Sequence, residues 1–105
     1  SLAGNPYMEL AQLDAFIAAA DCGSFSRAAE LLNVAQPSLS NRIQSLEREV
    51  GQSLFERMGR GVKLTDAGRS FLPYAQRVLR TLNDGLMVLE GTRDREARVQ
   101  RVARG

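Results

Sequence analysis

Apolar residues return at steps of three and four through most of this chain, and the breaks between runs divide it into elements. Leu10, Leu13, Phe16, Ile17 and Ala20 predict a first helix from about Glu9 to Asp21, with one stripe facing a core. Gly23 follows, a residue able to take the left-handed conformation that closes a helix. A second helix is predicted over roughly Arg27 to Leu32, with Ser26 placed to accept a bond from the unpaired N–H groups at its start. Ala28 and Ala29 allow close helix approach, Leu31 and Leu32 supply apolar contact, and Asn33-Val34-Ala35 makes a turn with Val34 as its buried plug.

A third helix is predicted from about Gln36 to Val50, where Leu39, Ile43, Leu46 and Val50 face inward. That leaves Gln36, Ser38, Ser40, Asn41, Arg42 and Ser45 away from the inner stripe. Pro37 is tolerated in the first turn, where its missing N–H would have had no partner. Gly51 ends the helix. Two short strands follow, Leu54–Arg57 and Val62–Thr65, around the hairpin link Met58-Gly59-Arg60-Gly61. Three helices and a basic two-stranded wing define a mainly α, winged helix-turn-helix architecture, a scaffold that can present one helix end to the DNA major groove.

Thr65 then caps a long helix from about Asp66 towards Thr92. Phe71, Ala75, Val78, Leu82, Leu86 and Leu89 form a seam on it, and a seam running past a compact domain wants a partner helix. Gly85 interrupts the seam at a cost of about 1 kcal/mol relative to alanine. From Arg93 the text turns charged and loses its stripe. The expected organisation is therefore a tag remnant or disordered start over 1–7, the winged domain over 8–65, a dimerisation helix over 66–92 and a tail over 93–105.

Composition narrows the chemistry. There is no histidine and one cysteine, Cys22, so an internal disulfide and a Ser-His or Cys-His catalytic pair are unavailable, and the several Cys or His ligands of a usual structural zinc site are missing. Cys22 reads as a small semi-buried residue beside Gly23. No stretch approaches the roughly 20 apolar residues that span a bilayer. The net charge is only +2, but its distribution matters. Residues 9–56 hold three Arg against seven acids, whereas residues 57–80 hold Arg57, Arg60, Lys63, Arg69, Arg77 and Arg80 against Asp66 alone. Positive charge gathers where the wing and the following helix begin, as a phosphate-facing stripe requires.

The blocks GSFSRAAELL, QPSLSNRIQSLE, LFER and LTDAG occur in order within residues 8 to about 90. Over that span the chain resembles the N-terminal DNA-binding domain of LysR-type transcriptional regulators. The resemblance implies a bacterial, cytoplasmic regulator with this domain first, then a linker helix and a larger effector-sensing domain. It implies antiparallel linker helices in a homodimer, and leaves open a full-length tetramer and a contact with RNA polymerase. A small-molecule coinducer would belong to the effector domain, so no cofactor or metal is expected within this chain. Three departures stand out: Ala35 in place of a capping Ser or Thr, Asn41 in place of a larger basic residue, and Gly61 in place of a frequent wing cation. The missing cap costs about 1 kcal/mol, and Asn41 shifts the expected base preference towards adenine.

Roles then follow from chemistry. Gln36, Pro37, Ser38, Asn41 and Arg42 are the candidates for base contact in double-stranded DNA. Ser26, Arg27 and Ser40 are candidates for phosphate, as are Arg57, Arg60 and Lys63 along the wing. Two copies would face an interrupted inverted repeat. The rival from another class is a winged-helix protein-interaction module, which predicts no salt-dependent DNA affinity. A molybdate-type regulator is a rival within DNA binding, disfavoured by LFER and LTDAG. An enzyme is the poorest reading.

Overall fold

The computed structural model describes residues 8–104, with side chains through Gln100. The expected 1–7 start lies outside the described residues. The elements are α1 (Leu10–Cys22), α2 (Phe25–Leu32), α3 (Gln36–Val50), β1 (Phe55–Met58), β2 (Gly61–Leu64) and α4 (Asp66–Arg104). This is the mainly helical winged helix-turn-helix expected from the pattern, with several local revisions.

Glu9 is not the first helical residue but the N-cap of α1. It forms a capping box in which the Gln12 side chain accepts the Glu9 N–H at 2.9 Å. Gly23 closes α1 with φ +65, its N–H donating to the Ala19 carbonyl at 2.9 Å. The start of α2 differs from expectation. Ser24, in extended conformation, accepts the Arg27 N–H at 3.2 Å, so the cap lies two residues before Ser26. Phe25 thereby becomes helical, and its ring meets Phe55 edge-on at 5.4 Å between centroids. Leu31, expected to supply apolar contact, is exposed, and Leu32 and Val34 take that role against the core.

Two apolar clusters form the interior. Ala15, Ala18, Ala19, Ala28 and Ala29 with Leu39 and Ile43 join the first three helices; five alanines set the close spacing. Leu13, Phe16, Leu46, Leu54 and Ala75 join α1 and α3 to α4. The Phe16 ring lies 5.5 Å from Phe55 and 5.6 Å from Phe71, making it the centre of the second cluster.

The hairpin pairs Phe55 with Leu64, Glu56 with Lys63, Arg57 with Val62 and Met58 with Gly61. Both strands thus sit one residue from the expected positions, and the link shortens to Gly59-Arg60. Thr65 is the physical cause. Its N–H donates to the Leu54 carbonyl at 3.0 Å, its hydroxyl donates to the Ser53 carbonyl at 2.7 Å, and that same oxygen accepts the Gly68 N–H at 3.0 Å. Committed to capping α4, Thr65 leaves the strand to end at Leu64. Gly61 has φ +107, and a Cβ there would stand 2.3 Å from the Gly23 carbonyl oxygen. The wing is accordingly packed backbone to backbone against the turn between α1 and α2, where the Val62 N–H also donates to the Gly23 carbonyl at 3.0 Å.

The helix expected to fade near Thr92 instead continues to Arg104, 39 residues in all. Its final stretch, residues 93–104, holds five Arg and two Ala, good helix formers, and no Gly or Pro. At 1.5 Å per residue it supplies most of the 64 Å long axis.

Candidate nucleic-acid interface

The start of α3 is where the fold turns polar residues outward. Leu39, Ile43 and Leu46 are anchored in the core, which fixes the rotation of the helix about its axis. Gln36, Pro37, Ser38 and Asn41 are consequently exposed together along the first two turns, while Ser40 and Arg42 are half-buried at the margin. Ala35 is the N-cap and makes no side-chain bond, as its methyl requires, so the N–H groups at this helix start keep no protein side-chain cap. Ser26 and Arg27 are exposed in the first turn of α2.

The wing brings its cations to this region in unequal condition. Arg57 lies over the Phe25 ring at 5.6 Å, an attraction between guanidinium and aromatic face that ties the wing to the start of α2. Lys63 pairs with Glu56 across the strands at 3.5 Å, both side chains more than half exposed. Such a solvent-exposed pair contributes little to stability. Arg60, at the exposed turn, has no ion-pair partner among the described residues.

Further along, the basic stripe read from sequence is partly consumed inside the chain. Arg69 pairs with Asp66 and donates to the Leu64 carbonyl at 3.1 Å. Arg77 lies over the Tyr74 ring at 5.7 Å. Sequence reasoning missed Ser24 as the cap and Phe25 as the partner of Arg57. The serine three residues before Arg27 was a legible signal; the aromatic contact, 32 residues apart, was not.

The apolar seam of α4 divides. Ala75 is 1% exposed and Phe71 half-buried, both within this chain's own core, because α1 crosses α4 there. Ala75 is therefore spent on the fold and does not belong to a surface seam. Val78, Leu82, Leu86 and Leu89 remain exposed, the last at 65%. Among the described residues, no helix is long and apolar enough to cross a membrane, and no three His, Cys, Asp or Glu side chains gather as a metal site.

Three helices, a helix-turn-helix joint and a two-stranded wing place this chain among winged helix-turn-helix proteins. A model of bacterial regulatory helix-turn-helix proteins of the lysR family matches residues 10–69, and the chain belongs to that family. It is 53% identical over 77 residues to an uncharacterized HTH-type transcriptional regulator in the ibpB-leuC intergenic region of Azotobacter vinelandii, covering 73% of this chain and 54% of that protein. It is 49% identical over 72 residues to the HTH-type transcriptional regulator TfdT of Cupriavidus pinatubonensis, covering 69% of this chain and 32% of that protein. The chain thus matches about half, or less, of the length of these curated relatives. Its backbone is similar to that in a crystal structure of a CbnR DBD–DNA complex, with a TM-score of 0.72 and 41% identity over 86% of this chain and 98% of that one.

Proposed function

We propose that this chain reads DNA sequence with the start of α3 and holds the backbone with α2 and the wing. The carrying observation is the exposed polar set Gln36, Pro37, Ser38 and Asn41 on a helix whose rotation is locked by Leu39, Ile43 and Leu46. Similarity to a domain solved on DNA supports the same assignment. In this reading the Gln36 and Asn41 amides pair with base edges, the Pro37 ring meets a thymine methyl, and Ser38 and Arg42 complete the groove contacts. Ser26, Arg27, Ser40, Arg57, Arg60 and Lys63 contact phosphate, with Arg60 the most available of the wing cations. Lys63 exchanges its exposed pair with Glu56 for phosphate at small cost.

The reading continues to a homodimer joined through the exposed α4 residues Val78, Leu82, Leu86 and Leu89, facing an interrupted inverted repeat in a bacterial cytoplasm. We assign no cofactor to the described residues, and a coinducer would act on a separate domain of a longer regulator.

Titration against a fluorescent duplex taken from upstream of its own gene, beside a scrambled duplex and across a salt series, tests this. Binding should favour the native duplex and fall steeply with salt, by about 0.9 log units per neutralised phosphate for each log unit of salt. Gln36→Ala should cost about 1–3 kcal/mol on the native duplex and little on the scrambled one. Equal binding to both duplexes, indifferent to Gln36, would remove the base-contact assignment. A folded chain that binds neither duplex at low salt would instead favour a protein-interaction module.

A further inference from the structure

We propose that Glu47 is a positioning residue that sets the wing relative to the reading helix. The proposal rests on the DNA-reading assignment above and concerns a side chain outside the exposed polar set. Near the end of α3, one carboxylate oxygen of Glu47 accepts the Leu54 N–H at 2.6 Å and the Phe55 N–H at 3.4 Å. The backbone carbonyl of the same residue accepts the Gly51 and Gln52 N–H groups at 2.9 and 3.2 Å. One residue therefore holds both ends of the connection from α3 into the first wing strand.

The second strand is referred to the same place. The Leu54 carbonyl accepts the Thr65 N–H, the Ser53 carbonyl accepts the Thr65 hydroxyl, and Thr65 caps α4 through Gly68. Polar contacts thus run without a gap from α3, across the feet of both strands, into α4. Leu54 is fully buried beneath them, and a Cβ on Gly68 would stand 2.3 Å from the Leu54 carbonyl oxygen, so the junction has no slack. Charge-assisted bonds to a carboxylate are the stronger kind, which suits a joint that must keep one angle.

Electrostatics gives this proposal a sign. An acid beside a DNA-binding face repels phosphate, so removing a carboxylate with no positioning role tightens binding. Removing one that aims the wing weakens it. The test measures binding of the 105-residue chain to the fluorescent duplex from upstream of its gene, for wild type, Glu47→Ala and Glu47→Gln. Each is measured again with the wing cations removed by Arg57→Ala, Arg60→Ala and Lys63→Ala.

Glu47→Ala should weaken binding about tenfold. Glu47→Gln, whose amide oxygen can accept the same two N–H groups, should stay within about twofold. Without the wing cations, the loss from Glu47→Ala should shrink to about twofold, since the contact being aimed is gone. Unchanged or tighter binding of Glu47→Ala overturns the proposal, as does an equal loss with and without the wing cations. If circular dichroism shows Glu47→Ala unfolded, Glu47→Asp takes its place, keeping the charge while withdrawing it from the N–H groups. Wild-type binding by Glu47→Asp then overturns the positioning role. A wild type that shows no salt-dependent binding overturns the DNA-reading assignment and this proposal together, whereas failure of the variants alone leaves DNA reading intact.

Discussion

The two halves of α4 carry one apolar pattern and meet opposite fates. Near its start, Ala75 is buried and Phe71 half-buried against Phe16 and α1. Beyond Val78 the same spacing continues through Leu82, Leu86 and Leu89 into solvent. Periodicity specifies which face of a helix is apolar; what covers that face depends on how far the domain reaches. The first half is therefore held by its own chain, whereas the second, past Leu79, leaves most of its apolar face uncovered until something packs on it. Helices in folded proteins gain most of their stability from such packing, and isolated ones are marginal in water.

The largest test strikes the covered half. Phe16→Ala removes the ring between Phe55 and Phe71 and should lower unfolding stability by about 3–5 kcal/mol in urea titration. A loss below about 1 kcal/mol would mean that α4 is not held by this cluster. The uncovered half should respond differently. Leu82→Ala with Leu86→Ala should leave monomer stability within about 0.5 kcal/mol, yet weaken self-association at least about tenfold in sedimentation equilibrium. Equal dimerisation by this variant would put the dimer contact elsewhere. The smallest effect belongs to Gly85→Ala. A Cβ there meets nothing within 4 Å, so the substitution should raise helix stability by up to about 1 kcal/mol. A gain in the monomer accompanied by weaker dimerisation would mark Gly85 as a point of close helix approach.

Much of this division was legible in the sequence. Leu39, Ile43 and Leu46 announced the inner face of α3, and with it the outward set Gln36, Pro37, Ser38 and Asn41. Thr65 announced the cap of α4. Where the reading slipped, competition between equivalent local partners decided the outcome. Ser24 and Ser26 are both capping residues, and only the extended backbone at Ser24 selects between them. Thr65 suits a strand by type, but its hydroxyl bonds to Ser53 and Gly68 end the strand early. The continuation to Arg104 was hidden because a charged segment without a stripe reads as a tail, although its residues favour a helix locally. In the candidate site, exposure could be deduced from period; the placing of Arg57 on Phe25 and of Lys63 opposite Glu56 came from tertiary register. The distribution of cations was visible, but their engagement was not.

The meeting of Gly61 with Gly23 carries a consequence for anyone exchanging parts between regulators of this kind. Because a single methyl at 61 would collide with the carbonyl of residue 23, the hairpin and the α1–α2 turn form a matched key and lock. A wing transplanted from a relative bearing a side chain at this position would be refused unless the receiving turn were transplanted with it. The smallest exchangeable unit of this domain is thus a pair of segments nearly forty residues apart in sequence, carried across together.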